Sequence, residues 1–157
     1  MTVYEELLEE VDDNGLIVRE KPLSSSNGRI YKNRIAISNK LRTTTEKACV
    51  LSEELGHHYT SVGCILDQAD SQNRKQERQA RLWAYNKQIG LRGLIRAYEH
   101  GCRSRHEIAE FLEVTEEFLQ NAIDCYRDKY GICASVDDYY YIMFIPNLMV
   151  GKIDYTI

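Results

Sequence analysis

Glu53, Glu54 and His57 lie in the run Glu53-Glu54-Leu55-Gly56-His57-His58, inside a stretch whose apolar residues recur at helical spacing. Residues four apart on a helix share a face, one turn from each other, so Glu53 and His57 point the same way. Glu54 lies about 100° further round. A carboxylate and an imidazole so placed would hold one divalent cation, with Glu54 able to reach a water on it. The spacing is that of the His-Glu-x-x-His zinc signature, with Glu53 standing where the signature has its first histidine.

The chemistry tolerates that exchange. Glutamate oxygen binds zinc at about 2.0–2.2 Å, comparable to imidazole nitrogen. A set of two carboxylates and one imidazole carries more negative charge, which lowers the Lewis acidity of the metal and favours harder ions such as Mn²⁺ beside Zn²⁺. The third ligand is expected from a neighbouring helix. Glu77 is the best candidate, at the edge of the apolar face carried by Leu82 and Tyr85, with an ion pair to Arg74 or Arg81 as its alternative. His58 points about 100° away from His57 and reads as exposed or hydrogen-bonded, although it is the substitute ligand if Glu53 fails. Tyr31 and Tyr59 would suit donation to an oxyanion, with core packing the simpler role for each. Asp67 and Asp70 read as loop or capping residues. His100 and His106 carry no spacing signal.

Several elements must position these groups. Tyr4, Leu7, Leu8 and Val11 fall on one face of a short helix that Asn14-Gly15 ends. Leu16 to Val18 reads as a brief strand, and Pro22 to Gly28 as a polar loop. Arg29 to Ser38 alternates and predicts a hairpin turning at Lys32-Asn33. Thr43 and Glu46 have the spacing of a capping box, opening a helix that runs to about Ser61. Ala48, Leu51 and Leu55 are its core stripe. A second long helix is expected from near Ser71 to Lys87 or beyond. Gly56 costs about 1 kcal/mol relative to alanine inside a helix, so it needs a local reason, such as close packing beneath a metal site.

Composition narrows the classes. The 157 residues suffice for one domain with a sizeable core, and 43% hydrophobic with 28% charged residues is ordinary for a globular protein. The net charge of −4 argues against broad binding to a phosphate backbone. No apolar run approaches the roughly 20 residues of a membrane span. Met1 to Glu10 is acidic and lacks the basic start of a secretory signal. Five scattered cysteines without a Cys-x-x-Cys pair read as reduced thiols of a cytoplasmic protein.

A hairpin, then Thr45-Glu46-Lys47-Ala48-Cys49-Val50-Leu51-Ser52-Glu53-Glu54-Leu55-Gly56-His57-His58, then Glu77-Arg78-Gln79-Ala80-Arg81-Leu82-Trp83-Ala84-Tyr85, occur in that order. This arrangement resembles the ImmA/IrrE family of metallo-endopeptidases, in the form found in phages and mobile elements. The match runs from Gly28 to Tyr85 by motif and over most of the chain by layout. The resemblance implies an α+β fold with a small zincin-like core. It also implies a cytoplasmic protease that cuts a helix-turn-helix repressor. It assigns His57 and Glu77 as metal ligands and Glu54 as general base, with zinc as the expected metal and Mn²⁺ the alternative. Glu53 departs from the family pattern.

The second half reads differently. Leu91 to His100 predicts a helix closed by Gly101. Ser104 and Thr115 cap two further helices, the second ended by Lys129-Tyr130-Gly131. His106 to Thr115 is similar to a helix-turn-helix. From Arg103 to Lys129, however, four basic residues face seven acidic ones, and the second helix opens with Glu116-Glu117. That sign argues against direct nucleic-acid binding and for packing or for gripping a protein substrate. Tyr139 to Ile145 reads as a strand that would pair with the early hairpin or cover the site. The expected organisation is a core over 1–90 with a helical extension and final strand over 91–157, packed together as one domain. The expected function is a metal-dependent endopeptidase acting on a protein, with a catalytically inactive binding scaffold or a DNA-binding regulator as alternatives.

Overall fold

The computed structural model describes residues 1–60 and 70–154, with side chains described from residue 74 onward in the second stretch. Ser61, Cys64 and Asp67 fall outside the described residues, as does the side chain of Asp70. The fold is α+β, and the chain divides into two compact units, Met1–Lys87 and Gln88–Ile157.

The first unit begins with helix α1 (Val3–Asp13). Thr2 caps it in a complete capping box: the Glu5 N–H donates to the Thr2 hydroxyl at 3.2 Å, and the Thr2 N–H donates to the Glu5 carboxylate at 2.8 Å. Strands β1 (Ile17–Lys21), β2 (Gly28–Tyr31) and β3 (Arg34–Ser38) follow. The predicted hairpin is β2–β3, turning at Lys32-Asn33, where Lys32 takes a positive φ of 55°. β3 is central, with β2 antiparallel on one side and β1 parallel on the other. β2 is therefore an edge strand.

Helix α2 (Thr44–Thr60) packs on one face of this sheet. Thr43 accepts from the Glu46 N–H at 3.0 Å, but the Glu46 carboxylate accepts from Arg42 rather than from Thr43, so only half of the expected box forms. Leu51, Leu55 and Ala48 join Tyr4, Leu7, Val11, Leu16, Ile35 and Ile37 in one core. Alternation decides the two sheet faces: Ile35 and Ile37 turn inward, while Arg34 and Ala36 turn outward. Helix α3 (Asp70–Gln88) completes the unit, with Ala80 and Ala84 buried.

The second unit holds α4 (Gly90–His100), α5 (Arg105–Leu112), α6 (Glu116–Tyr130) and a sheet of β4 (Cys133–Ser135), β5 (Tyr140–Met143) and β6 (Met149–Lys152). Gly101, at φ 105°, closes α4 as expected. Ser104 and Thr115 cap α5 and α6 through their hydroxyls. The expectation that the tail strand pairs with the early hairpin is corrected: β5 pairs antiparallel with β4 and β6 in a separate sheet. β4 and β6 are too short to show a period of their own, so sequence alone supplied no partner for β5. Among the described residues no helix is long and apolar enough to cross a membrane. None of the four described cysteines is in a disulfide.

Candidate metal centre

α2 and α3 meet at Gly56. A Cβ at that position would collide with the carbonyl oxygen of Ala80, so the two helices touch backbone to backbone. This is the close approach that a glycine inside a helix called for. It has a geometric consequence. His57 follows Gly56 on α2, and Glu77 lies three residues before Ala80 on α3, on the same helical face. Imidazole Nε2 of His57 and carboxylate Oε2 of Glu77 stand 3.4 Å apart. That is too long for a strong hydrogen bond. Two donors each about 2.0–2.1 Å from one tetrahedral zinc would stand about 3.3 Å apart, so this pair has the separation of two ligands sharing an ion.

The second oxygen of Glu77, Oε1, accepts from Arg81 Nε at 3.2 Å. Of the two expected arginine partners, Arg81 is thus engaged, and the same carboxylate still meets His57. The guanidinium takes one oxygen and leaves the other facing the histidine.

Glu54 projects toward the sheet. A Cβ on Gly28, the first residue of β2, would lie 2.9 Å from Glu54 Oε1 and 2.8 Å from Val50 Cγ1. The missing side chain at Gly28 makes room for the carboxyl. Burial pushes the Glu54 carboxyl up to about 7, and the neighbouring Glu53 and Glu77 carboxylates add to the rise. Sequence reading did not single out Gly28. Its only signal was a glycine at the mouth of the hairpin, which local pattern cannot distinguish from a turn residue.

Among the described residues no strand pairs with the outer edge of β2, the strand beside Glu54. Ser38 N–H donates to Asn27 O at 2.8 Å, so 27 and 38 form a hydrogen-bonded pair. Antiparallel alternation then turns the N–H and C=O of Gly28 and Ile30 toward the open edge. There the Gly28 carbonyl accepts from the Ser26 hydroxyl at 3.1 Å.

The remaining expectations divide. His58 is exposed, as its helical angle required. Tyr31 and Tyr59 are not core residues: they are 71% and 46% exposed, because Tyr31 ends an edge strand and Tyr59 lies on the outer side of the last turn of α2. The Tyr59 ring lies 5.2 Å from that of Trp83, a second link between α2 and α3. Of the expected metal set, His57 and Glu77 are together. Glu53 is close enough to act on the Glu54 charge. Among the described residues, however, no three His, Cys, Asp or Glu side chains are grouped so as to hold a metal ion. The donor pair fits a divalent cation, and the third donor is not drawn in. In the second unit α5 and α6 pack on each other across a short turn, with Glu113 at φ 55° in the turn and Glu116 and Glu117 exposed at the start of α6.

Comparison with protein families matches residues 11–124 to the model of a peptidase family described as the IrrE N-terminal-like domain. Neither a curated protein nor a solved structure matches the chain. The family suggests a metallopeptidase type of function and implies a divalent metal, generally zinc. The matched segment takes in the β2–β3 hairpin, α2 with Glu53, Glu54 and His57, and α3 with Glu77. On that match, which covers most of its length, the chain belongs to the IrrE N-terminal-like peptidase family.

Proposed function

We propose that the protein is a metal-dependent endopeptidase of the cytoplasm that cleaves another protein, a helix-turn-helix repressor of a phage or mobile element being the expected substrate. The observation that carries this reading is the convergence of His57 and Glu77 at 3.4 Å beside a carboxyl, Glu54, that lies against the first residue of an open strand edge.

His57 and Glu77 would hold the cation, with Glu53 turning in as the third ligand by rotation of its flexible side chain. A bound zinc supplies Lewis acidity to the scissile carbonyl and positive charge beside three carboxylates. Everything else falls to the chain. An extended peptide adds along β2, taking up the outward N–H and C=O of Gly28 and Ile30 in β-strand addition. This sets its backbone beside Glu54. Hydrolysis consumes one water: the oxygen joins the carbonyl carbon, the C–N bond breaks, and Glu54 carries a proton from the water to the departing amine. Glu54 must be ionised to begin, and a dication next to it favours that form over the protonated one.

Co-expression with a helix-turn-helix repressor tests this reading. Cleavage is expected from the parent protein and not from Glu54→Gln, and chelation is expected to abolish it in the purified system. A single observation favours a second reading, a binding scaffold without catalysis: Glu53 stands where the zinc signature has its first histidine. Repressor binding without cleavage at saturating zinc would establish that scaffold and end the enzyme reading.

A further inference from the structure

The outer face of the first sheet, opposite α2, is a basic concavity of about 630 Å³. Register brings its residues into rows: Ile17, Arg34 and Tyr31 in one, Arg19, Ala36 and Arg29 in the next. Lys21 lines the same hollow. Four cations thus surround the small side chain of Ala36, and among the described residues no carboxylate lines the hollow. Glu20, the acid on β1, alternates to the other face and pairs with Lys47 of α2 at 2.6 Å. Among the described residues none of the four cations forms an ion pair. Arg29 reaches only the Ser25 hydroxyl, and Arg19 the neighbouring Val18 carbonyl. The Tyr31 ring is 71% exposed at one end, with the Lys32 ammonium 5.5 Å from its centre.

Such clustering is unexpected in a chain of net charge −4. Uncompensated like charges on one small face repel and lower stability unless something anionic neutralises them. Phosphates alone would satisfy the cations. The exposed ring and the apolar floor of Ile17 and Ala36 add a surface for flat apolar groups. Nucleic-acid single strands offer both, charge along the backbone and a stacking face on every base. An acidic peptide offers charge without the faces. The net charge that argued against phosphate binding averages over both units and hides this face.

We propose that the outer face of the β1–β3–β2 sheet binds single-stranded nucleic acid, with Arg19, Lys21, Arg29 and Arg34 on phosphates and Tyr31 stacked on a base. The site lies on the opposite side of the sheet from Glu54 and does not depend on the peptidase reading.

Fluorescence anisotropy of the full chain with a labelled oligo(dT) of about 12 nucleotides tests it. Four phosphate contacts at about −0.7 each predict a log–log salt slope near −3, or about 50-fold weaker binding between 50 and 200 mM salt. Arg19→Gln with Arg29→Gln is expected to weaken binding at least tenfold and to make the slope shallower by about 1.4. Tyr31→Ala is expected to weaken it about tenfold with the slope unchanged. Lys129→Gln, an exposed cation of the other unit, should leave binding unchanged. Should the double variant melt early, Arg34→Gln alone carries the test through a slope change of about 0.7. Equal competition by poly-glutamate would overturn the proposal in favour of an acidic protein partner. Binding that ignores these substitutions, or no binding at the lowest salt, would overturn it outright.

Discussion

Gly56 yields its Cβ position to the carbonyl of Ala80, beside the point where His57 and Glu77 stand 3.4 Å apart. A backbone carbonyl inside a helix cannot rotate away as a side chain can. Gly56→Ala is therefore expected to push α3 off α2, despite the gain of about 1 kcal/mol in helix propensity. Overpacking at a rigid contact costs about 1–3 kcal/mol, and the net effect should be destabilising. More telling is zinc affinity, expected to fall at least tenfold as the donor pair separates. Calorimetric titration of the folded variant checks this, and parental affinity would show that the helix contact does not set the site.

Gly28 differs from Gly56 in what it faces. An added methyl would meet Oε1 and Cγ of Glu54 and one methyl of Val50, side chains rather than backbone. Gly28→Ala should therefore cost about 1 kcal/mol, at the low end of overpacking, while displacing the Glu54 carboxyl. The expected outcome is a near-normal melting temperature with cleavage of a repressor reduced at least tenfold. Loss of both together would make Gly28 a packing residue only.

The pairing of a legible motif with an illegible neighbour runs through the whole fold. The helix carrying Glu53, Glu54 and His57 was readable because its apolar stripe, its Thr43 cap and its ligand spacing are all local. So were the hairpin turn at Lys32-Asn33, the close of α4 at Gly101 and the caps at Ser104 and Thr115. The Thr2–Glu5 capping box is equally local. What sequence could not show is which segments meet. Nothing near Gly28 announces that its missing side chain is filled by Glu54. Nothing near Tyr140 announces that its strand lies between two very short ones. The parallel pairing of β1 with β3 joins residues about 17 apart, and that pairing creates both the open β2 edge and the basic outer face. Glu77 lay between the two kinds: its place on a helix face was readable, its choice between Arg81 and His57 was not, and the structure gives one oxygen to each.

Glu53 is the one residue that departs from the zinc signature, and exchanging it is diagnostic. Glu53→His would supply a neutral imidazole in place of a carboxylate at the same helical position. Reduced negative charge in the donor set should shift preference from Mn²⁺ toward Zn²⁺ and strengthen zinc binding at least tenfold. Glu53→Gln should weaken both metals, and Glu77→Gln should weaken them at least as much. Competition against a chromophoric chelator ranks the variants. If Glu53→Gln leaves both affinities as they were, this residue is no ligand and His58 becomes the third donor to test.

Glu54 links the site to pH in the metal-free protein. Its carboxyl ionises near 7 in the folded chain against an ordinary value of 4.5, because it is buried and faces Glu53 and Glu77. The folded state thus keeps a proton that the unfolded chain releases. This contribution to stability is complete below about 4.5 and is lost as pH rises through about 7. The metal-free protein should therefore weaken between these values, and Glu54→Gln, which cannot ionise, should not show that loss. Above pH 7 the variant is expected to be the more stable of the two by on the order of 1 kcal/mol, since water reaching the partly exposed carboxyl screens the repulsion. Denaturant melts at pH 5 and pH 8 in chelator measure this directly. Saturating zinc should then remove the advantage of the variant, because a dication held by His57 and Glu77 replaces the repulsion with attraction. A parent protein whose stability is flat across that range would mean that the Glu54 carboxyl is already solvated, and with it the argument for a base held ready beside the strand edge would fall.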